Sequence, residues 1–303
     1  MRTGLSDRPL KRRAIKLAYS IFAGRDRAHW QETAFGLRID RVHGKIMYLG
    51  EKAGRLVPAC FQDTDEIVIV GSGPSLRDQD VSQLPTRSAI LLNGAAGLAS
   101  HVAPLFVAVE DERFIWRHFS MLRDVGRDCG LLLSPGAIRA ILEQDREFLM
   151  DRKVSLIDNL LKPVHEVRRK EADPSLISIL DTTRRLSLAP EVGVVPAGTV
   201  ALSAMQFALA ANPAKISLAG VDLKNASGPR FYETASEMAP SGIVRGMDKI
   251  LRGFVAAQQV AASRGIALGC LSPVSALLDV GYPFDPRISR PHPKLLPAER
   301  RVG

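Results

Sequence analysis

The residues best placed to do chemistry gather in short runs, each following a brief apolar stretch. Gly71-Ser72-Gly73-Pro74-Ser75 follows Glu-Ile-Val-Ile-Val, and Asn93-Gly94, Glu110-Asp111-Glu112, Gly220-Val221-Asp222 and Ser272-Pro273 stand in equivalent places further along. Glycine lets a chain turn sharply and approach a ligand with no Cβ between them, and exposed N–H groups receive an anion, so the first run suits a phosphate or a ribose. Val194-Val195-Pro196-Ala197-Gly198-Thr199 precedes a stretch rich in Ala and Leu. Amides of Gly198 and Thr199 at such a helix start can face a phosphate or carboxylate, with Asp222 placed for ribose hydroxyls. Ordinary turn geometry, with glycine wherever the chain must bend, is the competing reading for both runs.

Several chemistries are disfavoured by what stands at fixed offsets. A dinucleotide fingerprint needs a small residue where Leu76 stands, and Pro74 stiffens the turn, which argues against a dehydrogenase. A methyltransferase would want an acid where Asn93 ends its stretch. No P-loop and no G-x-S-x-G elbow occurs, and the six histidines lack zinc spacing. Asp63-Thr64-Asp65 resembles a metal-binding D-x-D, but it precedes its strand and so falls at the wrong edge of a sheet. Cys60, Cys129 and Cys270 are odd in number and widely spaced, as expected of reduced thiols.

The elements that must carry these runs follow from apolar periodicity. Strands are expected near 66–70, 88–92, 105–109, 130–133, 153–157, 215–219 and 266–271, with helices over 111–124, 136–149, 199–211 and 244–263. That rhythm predicts an α/β fold around a mostly parallel sheet of seven strands, with ligands at the carboxyl ends of the strands. Residues 1–60 read as an appendage, 61–285 as the main domain and 286–303 as a Pro- and Arg-rich tail. Within the appendage, residues 10–23 form an amphipathic helix with Leu10, Ala14, Leu17, Ala18 and Ile21 on one stripe, and Phe35 to Val57 suggests small hairpins. The helix either packs on the domain or lies on anionic lipid.

The chain has 303 residues, 46% of them hydrophobic, enough for a substantial core, and a formal net charge of +9 that favours anionic partners. No DNA- or RNA-binding signature accompanies that charge, so nucleic acid is not the expected partner. Neither a signal-peptide core nor a membrane-spanning run is apparent, and a cytoplasmic protein, placed at the inner face of the membrane if residues 10–23 bind lipid, is the expectation.

Taken in order, Gly-Ser-Gly-Pro-Ser-Leu with Asp80 and Leu84-Pro85, then Asn93, then Pro-Ala-Gly-Thr before Leu-Ala-Gly-Val-Asp-Leu, and Cys270-Leu271-Ser272-Pro273-x-Ser275 resemble the bacterial lipo-oligosaccharide sialyltransferases, which use CMP-activated sialic acid. The resemblance spans residues 66 to 280. It implies a Rossmann-like sheet, an inverting sugar transfer without a metal cofactor, and a flexible lid over residues 225 to 245. It also implies donor contacts from Gly71, Ser72, Gly73, Pro74 and Ser75, with Asn93 on the base or ribose. Ala197, Gly198 and Thr199 would lie near the sugar carboxylate, Gly220 and Asp222 near the ribose, and Ser272 and Pro273 beside the cytosine.

The chain departs from that family where catalysis is concerned. Ser241-Gly242-Ile243-Val244-Arg245 lacks the family's histidine base, and Lys224, Arg230 and Tyr232 stand near the places of its two phosphate-holding tyrosines. Those three are the candidates to offset charge on a departing CMP, an electrostatic task that cations can perform. Glu110 and Asp111 are the candidate bases. The expected partners are a nucleotide-sugar donor carrying sialic acid or a Kdo-like sugar, a surface glycolipid or polysaccharide acceptor, and further copies of the chain. Two alternatives remain open: a pterin diphosphokinase-like enzyme holding Mg²⁺ and ATP with Glu110, Asp111 and Glu112, and a nucleotide-binding protein without transferase activity.

Overall fold

The computed structural model describes residues 10–61, 64–169, 175–179, 185–224, 228–233 and 243–290. Its centre is a seven-stranded parallel sheet. The strands are β4 (Glu66–Val70), β5 (Ala89–Leu92), β6 (Phe106–Val109), β7 (Gly130–Leu133), β8 (Val154–Leu156), β11 (Lys215–Ala219) and β12 (Ala267–Cys270), in the spatial order β12-β11-β4-β5-β6-β7-β8. All seven expected strands form, within a residue or two of their expected bounds. Their near-continuous apolar runs suit strands buried on both faces.

The two faces are read off by alternation. Val68, Val70, Leu91, Val107, Val109, Leu131 and Leu133 point into a core shared with α3 (Glu112–Arg123) and α4 (Pro135–Gln144). Ile67, Ile69, Ile90, Leu92, Ala108, Leu132, Ile216 and Leu218 point into the opposite core, under α5 (Val200–Ala211) and α6 (Ile243–Ser263). The sequence VALSAMQFALAA of α5 is apolar nearly all round, and the helix is accordingly buried along most of its length. Caps set the helix starts: Asp111 accepts from the Arg113 amide, Ser134 from Ala137 N and Thr199 from Ala201 N. Strand order reverses between β4 and β11, so the crevice at their carboxyl ends is where a sheet of this kind binds ligands.

The amino-terminal appendage consists of α1 (Leu10–Phe22) and an antiparallel sheet of β1 (Leu37–Asp40), β2 (Lys45–Tyr48) and β3 (Glu51–Arg55). It is not an independent layer, because Leu37, Ile39, Ile46, Tyr48 and Ala53 join the core of α3 and α4, and Leu56 bridges to Val154. A second, two-stranded antiparallel sheet of β9 (Ile177–Ile179) and β10 (Arg185–Ser187) has no counterpart in the sequence reading. Three residues per strand are too few to show a period. Among the described residues, no helix is long and apolar enough to cross a membrane.

Two polar clusters fasten the appendage. Arg139, with a fully buried side chain, pairs with Glu32, Glu112 and Glu143, while Lys16 Nζ lies 2.7 Å from Glu32 Oε1 and Arg12 pairs with Glu143. Burial alone would raise the Glu32 carboxyl, but Arg139 and Lys16 outweigh it and hold Glu32 below the ordinary carboxylate value. In the second cluster His165 Nδ1 accepts from Ile39 N at 2.9 Å and Nε2 faces Thr33 Oγ1 at 2.7 Å. Burial, reinforced by Arg38, Arg41 and His29, pushes His165 down to about 4.

A depressed folded-state value means that stability is present above the unfolded value of 6.5 and is lost as pH falls towards 4. The urea midpoint is therefore expected to decline over that window. His165→Asn, which does not titrate, should flatten the decline; an equally steep pH profile would contradict the assignment.

Candidate active site

The glycine run after β4 folds inwards. The amides of Gly71 and Gly73 donate to the carbonyls of Ala219 and Gly220, both at 2.8 Å, and Ser75 N donates to Asp222 Oδ2 at 2.9 Å. Ser75 Oγ donates to Asp222 Oδ1 at 2.6 Å and lies 3.0 Å from Ser272 Oγ, which accepts from Gly220 N at 2.8 Å. A Cβ on Gly71 would stand 2.3 Å from the Gly220 carbonyl oxygen, and one on Gly73 would stand 2.4 Å from Asp222 Oδ2. Glycine is required at both positions because two strand tips pack backbone to backbone.

This corrects the expectation of an open amide nest. The amides of Gly71, Gly73 and Ser75 already donate within the protein, and Asp222 and Ser272, 3% and 0% exposed, tie the strand tips to one another. The knot they form holds the carboxyl ends of β4, β11 and β12 together. Ser72 and Pro74 remain partly exposed at its crest, and Pro273 is exposed.

Beside the knot lies a cavity of about 50 Å³ lined by Asn93, Asp111, Arg113, Phe114, Arg117, His118, Arg230 and Tyr232. Asn93 enters it from the tip of β5 with a left-handed backbone (φ 47°), and its Oδ1 is buried with no hydrogen-bond partner among the described residues. Residues 228–233 form the opposite wall. Phe231 N donates to Ser72 O at 3.2 Å, and the Arg77 guanidinium donates to the carbonyls of Arg230, Phe231 and Glu233. The Tyr232 ring packs edge-on to His118, centroids 5.4 Å apart, and so close over Gly94 that a Cβ there would fall 1.9 Å from the ring. Burial raises the Tyr232 phenol above its ordinary value, so it is a proton donor in hydrogen bonds at neutral pH.

The candidate acids diverge. Asp111 caps α3 and holds Arg113 through Nε at 2.7 Å, the helix-terminus role that competed with a catalytic one. Glu112 turns back towards Arg139 and Lys16. Glu110 crosses to the other face of the sheet and accepts from Ser203 Oγ on the first turns of α5. The three acids therefore do not form the cluster that a Mg²⁺-ATP site built on them would need. Burial drives the Glu110 carboxyl above its ordinary value, opposed by the Ser203 bond and reinforced by the nearby Asp111.

The residues before α5 complete that side of the rim. Gly198 is exposed with φ 92°, Ala197 is buried, and Thr199 caps the helix. Arg230 and Tyr232 belong to the cavity wall, although Arg230 also pairs with the buried Glu233. Lys224 does not line the cavity; it pairs with Asp279 at 2.8 Å, both half-exposed or more. Of the expected lid, 225–227 and 234–242 lie outside the described residues, as do the side chains of 243–245.

Sequence reasoning missed Arg113, Arg117 and His118. Their signal was the α3 pattern itself: Phe114, Ile115, Phe119 and Leu122 face the core, which turns 113 and 117 to the same side of the helix, towards the rim. His118 sits at a kink, with φ −133° and ψ 30° inside the helix, which a periodicity reading does not show.

Fold and site together define a parallel α/β protein with a small, cation-lined cavity at the carboxyl ends of β5 and β6, beside the reversal of strand order. No family model matches the chain. It is 24% identical over 211 residues to a probable 3-deoxy-manno-octulosonic acid transferase of Escherichia coli, spanning 63% of this chain and 72% of that one. The corresponding protein of Salmonella typhimurium is 23% identical over 205 residues, 63% of this chain and 76% of that one. Among solved structures, the sialyltransferase CstII of Campylobacter jejuni bound to cytidine-5'-monophosphate superposes with a TM-score of 0.41 at 14% identity, covering 75% of this chain and 88% of its own. The monofunctional alpha-2,3-sialyltransferase Cst-I of the same organism gives 0.44 at 13%, covering 78% and 86%. By name the two curated relatives are sugar transferases.

Proposed function

We propose that the chain is an inverting glycosyltransferase that moves an acidic keto-sugar of the sialic acid or Kdo type from a CMP-activated donor to a surface glycolipid or polysaccharide. The observation that carries this reading is the buried Asn93 Oδ1, which has no hydrogen-bond partner among the described residues, in a cavity bordered by Arg113, Arg117, Arg230 and Tyr232. An amide oxygen there needs a donor, and the cytosine amine or a ribose hydroxyl supplies one beside cations suited to a phosphate. The names of the curated relatives, both transferases of a Kdo sugar, support the same class of donor.

Room is the first requirement. A cavity of about 50 Å³ holds a water or two, so donor entry requires residues 228–233 to withdraw and then close, as lids of transferases do. Arg230, Tyr232 and the α3 arginines would then meet the donor phosphate, with Ser72 at the crest of the knot. On the other side of β6, Gly198 and Thr199 offer the start of α5 to the sugar carboxylate, and Glu110 stands beside them.

The acceptor hydroxyl attacks the anomeric carbon and gives its proton to Glu110. The bond from that carbon to the CMP oxygen breaks with inversion, and the leaving phosphate carries away the electron pair, offset by the cations. No resident metal is assigned a step in this scheme. Incubation with a CMP-linked keto-sugar in the presence of EDTA is expected to release CMP, faster when a glycolipid acceptor is added. No release from CMP-sialic acid or CMP-Kdo, with or without Mg²⁺, would reject the proposal.

A further inference from the structure

Helix α1 is fastened to the body by its cations. Arg12 pairs with Glu143 and lies over the rings of Phe35 and Trp116, 5.3 and 4.7 Å from their centroids; Lys16 reaches Glu32 and Glu112; Ser20 Oγ accepts from Gln31. The apolar side is therefore turned outwards. Leu17, Ile21 and Phe22 are 63%, 66% and 88% exposed, with Ala14 and Ala18 exposed on the same face. An amphipathic helix that only packed on the domain would do the reverse.

The charges around this face select its occupant. Residues 10–28 contain six cations (Lys11, Arg12, Arg13, Lys16, Arg25, Arg27) and one acid, Asp26. Arg12 and Lys16 are spent inwards, while Arg13, Arg25 and Arg27 are exposed beside the apolar face, Arg27 stacked over Trp30. A second copy docking symmetrically through α1 would set these cations against their own kind, whereas lipid phosphates oppose them. We propose that α1 lies in the headgroup layer of an anionic bilayer, with Leu17, Ile21 and Phe22 inserted and Arg13, Arg25 and Arg27 at the phosphates. The inference does not depend on the sugar-transfer reading, although it would bring the enzyme to a lipid-linked acceptor.

Co-sedimentation with phosphatidylcholine vesicles, with and without phosphatidylglycerol, tests it. The full chain should bind the phosphatidylglycerol vesicles, less so as salt is raised, and the double variant Ile21→Glu/Phe22→Glu should partition about tenfold less or worse. Its melting temperature and CMP binding should match those of the parent, and Val42→Glu, a control at an exposed site on the hairpin, should bind vesicles normally. Should the α1 variant prove unstable, Arg13→Glu/Arg25→Glu gives the same readout. Equal partitioning of parent and variants, or no binding to either vesicle, overturns the proposal. A dimer in sedimentation velocity that the α1 variant dissociates, without vesicle binding, would assign the face to a second copy instead.

Discussion

Arg139→Met is expected to destabilise the protein by about 3–5 kcal/mol, the usual cost of removing one partner from a buried ionic cluster. The parent guanidinium is fully buried and serves three carboxylates at once, Glu32, Glu112 and Glu143, which come from three different elements. Methionine keeps much of the volume but takes away the buried guanidinium that the three carboxylates share, Arg12 and Lys16 remaining beside them. The loss should shrink in acid. Glu32 is held below its ordinary value, so the stability it contributes is present above the unfolded value of 4.5 and disappears as pH falls through the folded one. Urea unfolding at neutral pH and near pH 3 measures both halves of the expectation, and a loss below about 1 kcal/mol at neutral pH would show that the cluster does not fasten the appendage.

Glu110→Gln is expected to reduce kcat by about 10²–10⁴-fold with little change in donor binding, the range for removing a general base. Gln preserves the size and the acceptor that Ser203 uses, so the fold should survive. The pH profile separates this role from a structural one. A base must be ionised to act, and burial places Glu110 above its ordinary value, so the acid limb of kcat/KM should lie at higher pH than for an ordinary carboxylate. That limb should vanish in the variant. For stability the sign is opposite: a raised folded value means that stability is greatest below the unfolded value of 4.5 and falls as pH rises through the folded one, so Glu110→Gln should be slightly more stable at neutral pH. An unchanged kcat would shift attention to His118, the histidine that the cavity itself presents.

Much of the architecture was legible because buried parallel strands leave so plain a mark. Runs such as Ile67–Val70 and Leu131–Leu133 admit few other readings once glycine and proline bound them, and the rhythm of helices between them sets the topology. The site was legible only as a rim. The Gly71, Gly73, Asp222 and Ser272 run is a sound pointer to the reversal of strand order, yet its chemistry is turned inwards, towards itself. Sequence carries no sign of direction: a glycine demanded by a ligand and a glycine demanded by the Gly220 carbonyl look alike. Asp111 is another instance, since an acid at a helix start and an acid at a reaction centre occupy the same place on a strand tip. Helix α1 was the reverse case. Its stripe was visible, but whether the stripe faced in or out was decided by Glu32, Glu112 and Glu143, which lie far along the chain or on other elements.

Calorimetric titration with CMP and with UMP, for the parent and for Asn93→Ala, tests the central claim most directly. The parent should bind CMP, and where the cytosine amine is the donor to Asn93 it should bind CMP more tightly than UMP, whose base offers a carbonyl there, whereas equal affinity would assign that bond to a ribose hydroxyl. Asn93→Ala should weaken CMP by about tenfold or more, in line with roughly 1–3 kcal/mol for a hydrogen bond to a buried polar group. If the parent shows no saturable heat with CMP, or if the variant binds CMP as the parent does, the cavity between Asn93 and Tyr232 is not a cytidine monophosphate site.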